Sequence, residues 1–220
     1  MMLPKLRFAL VLLAVLASGM ALSAQRPDDL SRISFVNQTG YDIRHLFYSP
    51  GDSDQWGPDI LGSRGWLRDG EVLSFFVHHP ERRNYFDFLA IDASGDAFGI
   101  PAVEVEEGRE TFVSIGLEHF EQAGVDWPVA ELVLTNTSSD DIWYLFISPS
   151  RSNIWGVDIL DDETLFSRGD SLLVLLPVGD FVPAWDVLGL DENNGTLYRS
   201  IELAERGGNW FIDLGESDRK

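Results

Sequence analysis

Short apolar runs recur along the chain beyond residue 30, and Gly, Asn, Asp, Ser and Pro separate them. Runs of this length bounded by turn residues predict strands, because an amphipathic helix needs a longer apolar stripe at three- and four-residue spacing. The pattern predicts strands at 33–38, 43–49, 71–78, 84–92, 98–105 and 110–116. A second set follows at 132–137, 142–148, 171–177, 183–191, 196–203 and 209–214. Ile33 and Phe35 alternate with Ser34 until the turn Gln38-Thr39-Gly40. The segments 92–96 and 191–195 read as hairpin turns, since Asn, Asp and Gly tolerate positive φ. Ile142, Tyr144 and Phe146 alternate with Trp143, Leu145 and Ile147, so this strand is apolar on both faces. One face belongs in a core; the other must be covered by the loop that follows or by the sister unit, and the loop is the expectation because it carries the next tryptophan.

The chain repeats itself. Residues 33–61 laid over 132–160 share 13 of 29 positions at one offset of 99, without a gap. Asn37 meets Asn136, Ser49-Pro50 meets Ser148-Pro149, Trp56-Gly57 meets Trp155-Gly156, and Asp59-Ile60-Leu61 meets Asp158-Ile159-Leu160. The offset recurs at Asp87 and Asp186, Phe112 and Phe211, and Gly116 and Gly215. Identity at a fixed spacing is the mark of a duplicated unit. The expected architecture is all-β and mainly antiparallel: two tandem small β-sandwich units of the immunoglobulin-like kind, related by an internal repeat. The expected boundaries are repeat 1 at 30–117, a linker at 118–130 where Gly124 and Pro128 interrupt regular structure, and repeat 2 at 131–216. A partly open barrel is the alternative for each unit.

The first 24 residues follow a different rule. Lys5 and Arg7 precede an apolar run from Phe8 to Ala17, and small residues follow up to Ala24. This is the layout of a signal peptide for export, with cleavage expected after Ala24. An uncleaved anchor is the other reading, at the short end of what spans a bilayer. No later segment reaches 18 consecutive apolar residues, so no membrane span is expected after cleavage, and the product is expected to be periplasmic or secreted.

Composition narrows the chemistry. The 220-residue chain has 36 acidic and 16 basic residues and a net charge of −20, so it repels nucleic acid and anionic lipid. With no cysteine it has no disulfide, thiol nucleophile or zinc–thiolate site. No cofactor is expected; calcium is the one ion that an acidic exported chain puts forward.

The motif Asn37-x-Thr39-Gly40, Ser49-Pro50, Trp56-Gly57-x-Asp59-x-Leu61-Gly62, with Asp87 and Asp92 in a later strand, resembles a domain of unknown function found in exported bacterial proteins. The second unit departs from it at Ser139 and Asp161, and both units carry Phe where the pattern has Tyr after Leu. The resemblance spans nearly the whole exported chain. It implies the β-architecture and export, and no catalytic residue.

Six residues stand out as a ligand site or structural motif: Trp56, Asp59, Asp87, Trp155, Asp158 and Asp186. The tryptophans either plug an open sheet face or present a platform for a sugar ring. Asp59 and Asp158 either accept loop N–H groups or contribute to a calcium cage together with Asp87 or Asp186 and backbone carbonyls. Asp87 and Asp186 lie inside apolar strands, where a carboxylate needs a hydrogen bond, a cation or a proton. The four histidines have no counterparts across the repeat, and His78 and His79 point to opposite faces of a strand, so they do not suggest a catalytic centre. The expectation is an exported, acidic, non-catalytic binding or scaffolding protein whose partner is an unknown protein or surface glycan. A calcium-stabilised or glycan-binding module is the alternative. A hydrolase with carboxylates between the repeats comes third.

Overall fold

The computed structural model of the chain describes residues 30–51, 53, 55–78, 83–152, 154–178, 184–203 and 208–220. The export signal expected at 1–24 lies outside them. The first half carries strands β1 (Leu30–Gln38), β2 (Ile43–Pro50), β3 (Val72–His78), β4 (Arg83–Asp92), β5 (Ala97–Glu106), β6 (Thr111–Gly116) and β7 (Phe120–Gln122). The second carries β8 (Val129–Asn136), β9 (Ile142–Pro149), β10 (Ser171–Pro177), β11 (Ala184–Asp191), β12 (Thr196–Glu202) and β13 (Asn209–Leu214). The protein is all-β, and antiparallel pairing dominates.

The strands form four sheets, ordered β3-β1-β6, β2-β4-β5-β7, β10-β8-β13 and β12-β11-β9. Registers repeat as the residues do. Ile33 pairs with Phe75 as Leu132 pairs with Val174, and Phe35 pairs with Val113 as Leu134 pairs with Ile212. In each half alternate side chains from both sheets meet in one apolar cluster. Ile33, Phe35, Phe75, Phe86, Phe88 and Phe98 supply much of the first, and Leu132, Leu134, Val174, Trp185, Val187 and Leu197 much of the second. Asn37 and Asn136 explain the recurrent asparagine. Each is fully buried, and each amide donates to two carbonyls, Tyr41 and Leu67 in the first half, Asp140 and Phe166 in the second. Each side-chain oxygen also accepts from Thr39 or Ser138, so one residue satisfies a buried turn from all sides.

Two expectations change. The stretch expected as a linker holds β7, which pairs with β5. Beyond β7, Val125 and Trp127 pack on Phe47, Leu89 and Ile91, on the face of β2 and β4 turned away from the first core. The second face of β9 is covered from two directions. Trp155 lies against it as expected, but Leu30 and Phe76 of the first half also pack on Tyr144, Phe146 and Leu190. Phe76 lies 68 residues before Tyr144 of β9 in sequence, so no local pattern chooses between the loop and the other half as the lid.

Candidate functional site

The repeated Trp-Gly-x-Asp-Ile-Leu loop runs along the edge of its own sheet. Gly57 N–H donates to Tyr48 O (2.7 Å) and Ile60 N–H to Leu46 O (2.8 Å), while Ile159 N–H donates to Leu145 O (2.9 Å). The opposite side of each loop bonds to the other half. Asp59 N–H donates to Leu175 O (2.9 Å) on β10, and Asp158 N–H donates to Phe76 O (2.8 Å) on β3. Phe76 and Leu175 are equivalent at the offset of 99, so the two bonds are reciprocal. His78 N–H adds a bond to Gly156 O (2.7 Å). Its counterpart Pro177 has no N–H to return it. Each motif therefore splices its own sheet to a strand of the other half, and the sheet edges that would be open are closed by backbone bonds.

Tyr48 sits where the two loops meet. It is 1% exposed, and its hydroxyl donates to the carbonyl of Ile147, its own counterpart, at 3.0 Å. A Cβ on Gly57 would lie 2.5 Å from the Tyr48 ring, and one on Gly156 would lie 2.3 Å from it. Gly156 also has φ of 77°. The glycine of both motifs is thus required by one aromatic ring, and at Gly156 by the backbone as well.

The motif carboxylates complete the splice. Asp59 is buried, and its Oδ1 accepts N–H bonds from Leu46 (2.9 Å) and Leu61 (3.0 Å). Its Oδ2 lies 2.7 Å from His45 Nδ1, within hydrogen-bond reach of the imidazole. Asp158 Oδ1 makes the same backbone pair, with Leu145 (2.9 Å) and Leu160 (3.2 Å). Its Oδ2 finds no hydrogen-bond partner among the described residues. Tyr144 stands where the first half has His45. A phenol carries its oxygen at the far end of the ring and cannot place a donor where Nδ1 lies. Burial, with the Asp161 charge adding to it, pushes the Asp158 carboxyl up to about 8.

Asp87 and Asp186 belong elsewhere. Asp87 Oδ1 accepts the N–H of Ala102 (2.7 Å), a residue at φ 55° where β5 carries a bulge opposite Phe86–Phe88. Asp186 accepts from the hydroxyls of Tyr198 (3.2 Å) and of its cross-strand neighbour Ser200. Asp59 and Asp87 share no bonding partner among the described residues, and both oxygens of Asp59 are engaged. Among the described residues no group of three or more His, Cys, Asp or Glu side chains could hold a metal ion.

Trp56 and Trp155 are half-buried. Trp56 packs against the cluster of Phe47, Leu89, Ile91 and Ala97, and the Trp155 ring meets Tyr198 edge-on, 6.0 Å between centroids. The side chains that do project into solvent are others: Phe112 and Phe211, at equivalent positions on β6 and β13, are each 75% exposed. A cavity of about 260 Å³ opens between the two loops, lined by residues 59–64, Leu73, residues 159–161, Thr164 and residues 172–174. Arg64 stands at 3.8 Å from Asp161 there. The repeated carboxylates and tryptophans were legible in sequence; His45 was missed, because it has no counterpart and only its closeness to Asp59 reveals its part. No family model matches the chain, and no curated protein matches it.

Proposed function

We propose that the chain is two tandem immunoglobulin-like sandwich units, spliced by their repeated motif into one rigid, exported, non-catalytic binding or scaffolding protein of the bacterial envelope or extracellular space. In each half two sheets close on one apolar core, with antiparallel pairings β1–β3 and β2–β4–β5 in the first, which supports a small sandwich unit. The bacterial and exported parts of this reading rest on the signal-like amino terminus and on the resemblance of both units to a domain of exported bacterial proteins. One observation carries the functional part: the repeated motif residues are spent inward. Asp59 and Asp158 accept backbone N–H groups, Gly57 and Gly156 admit Tyr48, and the tryptophans cover sheet faces. A repeat that selects for such residues selects for a stable frame. Recognition then falls to the outer surface, where Phe112 and Phe211 stand at equivalent positions of both halves and are the first side chains to test.

The test uses residues 25–220 and the double variant Phe112→Ser/Phe211→Ser with isolated envelope fractions. Co-sedimentation of the native chain, lost in a double variant that keeps its circular dichroism, is the expected result. Failure of the native chain to bind any envelope fraction would remove the scaffolding reading. So would a glycoside hydrolase activity abolished by Asp59→Asn in a folded protein.

A further inference from the structure

The two motif carboxylates pose a question that the splice alone does not answer. Asp158 is 0% exposed, and its Oδ2 meets no hydrogen-bond donor among the described residues, whereas Asp59 Oδ2 has His45. A buried carboxylate oxygen without a partner is costly as an ion and far cheaper as a neutral acid. The charged and titratable groups on the surrounding elements do not relieve it. On its own loop stand Asp161 and Asp162, both acidic. Arg32 of β1 bonds to Asp162 and lies 3.7 Å from Glu110; Arg64, beyond the cavity, is 2.9 Å from Glu71 and 3.8 Å from Asp161. On β3, His78 uses Nδ1 to accept the N–H of Trp155 (3.2 Å). On β9, Tyr144 presents its ring edge-on to Phe76, 5.7 Å between centroids, and its hydroxyl is not a partner of Oδ2. On β2, Tyr48 gives its hydroxyl to Ile147.

We propose that Asp158 is a proton switch on the seam between the halves: protonated while the Gly156–Asp158 segment is bonded to β3, and loosening that segment when it ionises. Asp59 differs at this point, since His45 Nδ1 lies 2.7 Å from its Oδ2. The carboxyl turns over in the mildly alkaline range, so opening responds to pH across neutrality. Below the turnover, each opening releases one proton, because the exposed carboxyl ionises near its ordinary value of 3.8.

Amide hydrogen exchange by NMR on the exported chain reads the switch at its own bonds. The amides of Asp158 and His78 cross the seam on the β3 side, and that of Asp59 crosses it on the β10 side. After correction for intrinsic exchange, protection at Asp158 and His78 is expected to fall by up to about tenfold per pH unit between pH 6 and 8. Protection at Asp59 is expected to stay level. Asp158→Asn keeps the acceptor for Leu145 and Leu160 and should flatten the slope. Tyr144→His, which restores the first-half partner, should flatten it too. Flat protection in the native chain overturns the proposal. A slope that survives Asp158→Asn also overturns it, since it would belong to His78. Should either variant fail to fold, a carboxyl carbon-13 titration of the native chain decides: a midpoint in the ordinary carboxylate range removes the switch.

Discussion

The first-half splice is held by a satisfied pair and the second-half splice by a carboxylate satisfied on one oxygen only. Both aspartates occupy the same backbone position, accept the same two N–H groups and send their own N–H across the seam to equivalent carbonyls. One substitution at the neighbouring strand position, His45 against Tyr144, separates them. The comparison teaches that the motif works through its Oδ1 atom, which stands in for a backbone acceptor beside the middle of β2 or β9. The Oδ2 atom is free to take on whatever its neighbour dictates. A duplicated unit can in this way keep its architecture in both copies while one copy gains a response that the other lacks.

The largest effect expected from breaking the comparison is at the satisfied site. Asp59→Ala strands the Leu46 and Leu61 N–H groups and leaves His45 buried without its partner, at a cost of about 3–5 kcal/mol. Asp158→Ala strands two N–H groups but also removes an orphaned oxygen, so urea unfolding should show the smaller loss, about 1–3 kcal/mol. Equal losses would mean that His45 adds nothing to its site.

Next comes Gly156→Ala, which drives a methyl group into Tyr48 and holds alanine at a φ of 77°. About 2–4 kcal/mol is expected. The double variant Gly156→Ala/Tyr48→Leu should recover part of this, and if it recovers none, the ring is not what demands the glycine.

The pH dependence is smaller per step. The Asp158 carboxyl is raised in the folded chain, so between about pH 4 and its turnover near 8 the folded state binds the extra proton. Stability therefore falls as pH rises, by up to about 1.4 kcal/mol per unit, and levels off above that. Glu216 acts in the other direction: its bonds from Arg219 and Ser139 hold its carboxyl down to about 2. Glu71 is lowered by the Arg68 N–H and by Arg64. Their contributions are present at neutral pH and lost in acid. The melting midpoint should peak in mildly acidic buffer, and Asp158→Asn should remove the decline on the alkaline side only. The smallest expected effect is that of calcium: both oxygens of Asp59 are engaged and Asp158 is fully buried, so melting in EDTA and in millimolar calcium should coincide, whereas a stabilisation of several degrees would reveal a cage of carboxylates and carbonyls.

Strand positions were legible because apolar alternation and turn residues are local, and twelve strands lie close to where that pattern puts them. β7 was not, since Phe120-Glu-Gln is too short and too exposed to leave a pattern; its pairing with β5 defines it. Trp56, Asp59, Trp155 and Asp158 stood out through repetition alone. Their surroundings did not: the carbonyls that Asp59 and Asp158 N–H groups reach lie on β10 and β3, far away in sequence. Asp87 and Asp186 repeat as residues but take different partners, a bulge amide in one half and two hydroxyls in the other. That divergence was hidden because the partners come from β5 and β12, where Ala102 and Ile201 share an alignment column and no chemistry.

Chain order alone thus sufficed for the β-class, the duplicated motif and the acidic, cysteine-free surface, since period, identity and charge are properties of neighbours and totals. Folding decided which face of β2 and β9 the other half covers, that Tyr48 demands two glycines, and that His45 completes Asp59 while Asp158 goes without. Each of these depends on which donor arrives within hydrogen-bond reach of which acceptor, and only long-range packing sets that distance.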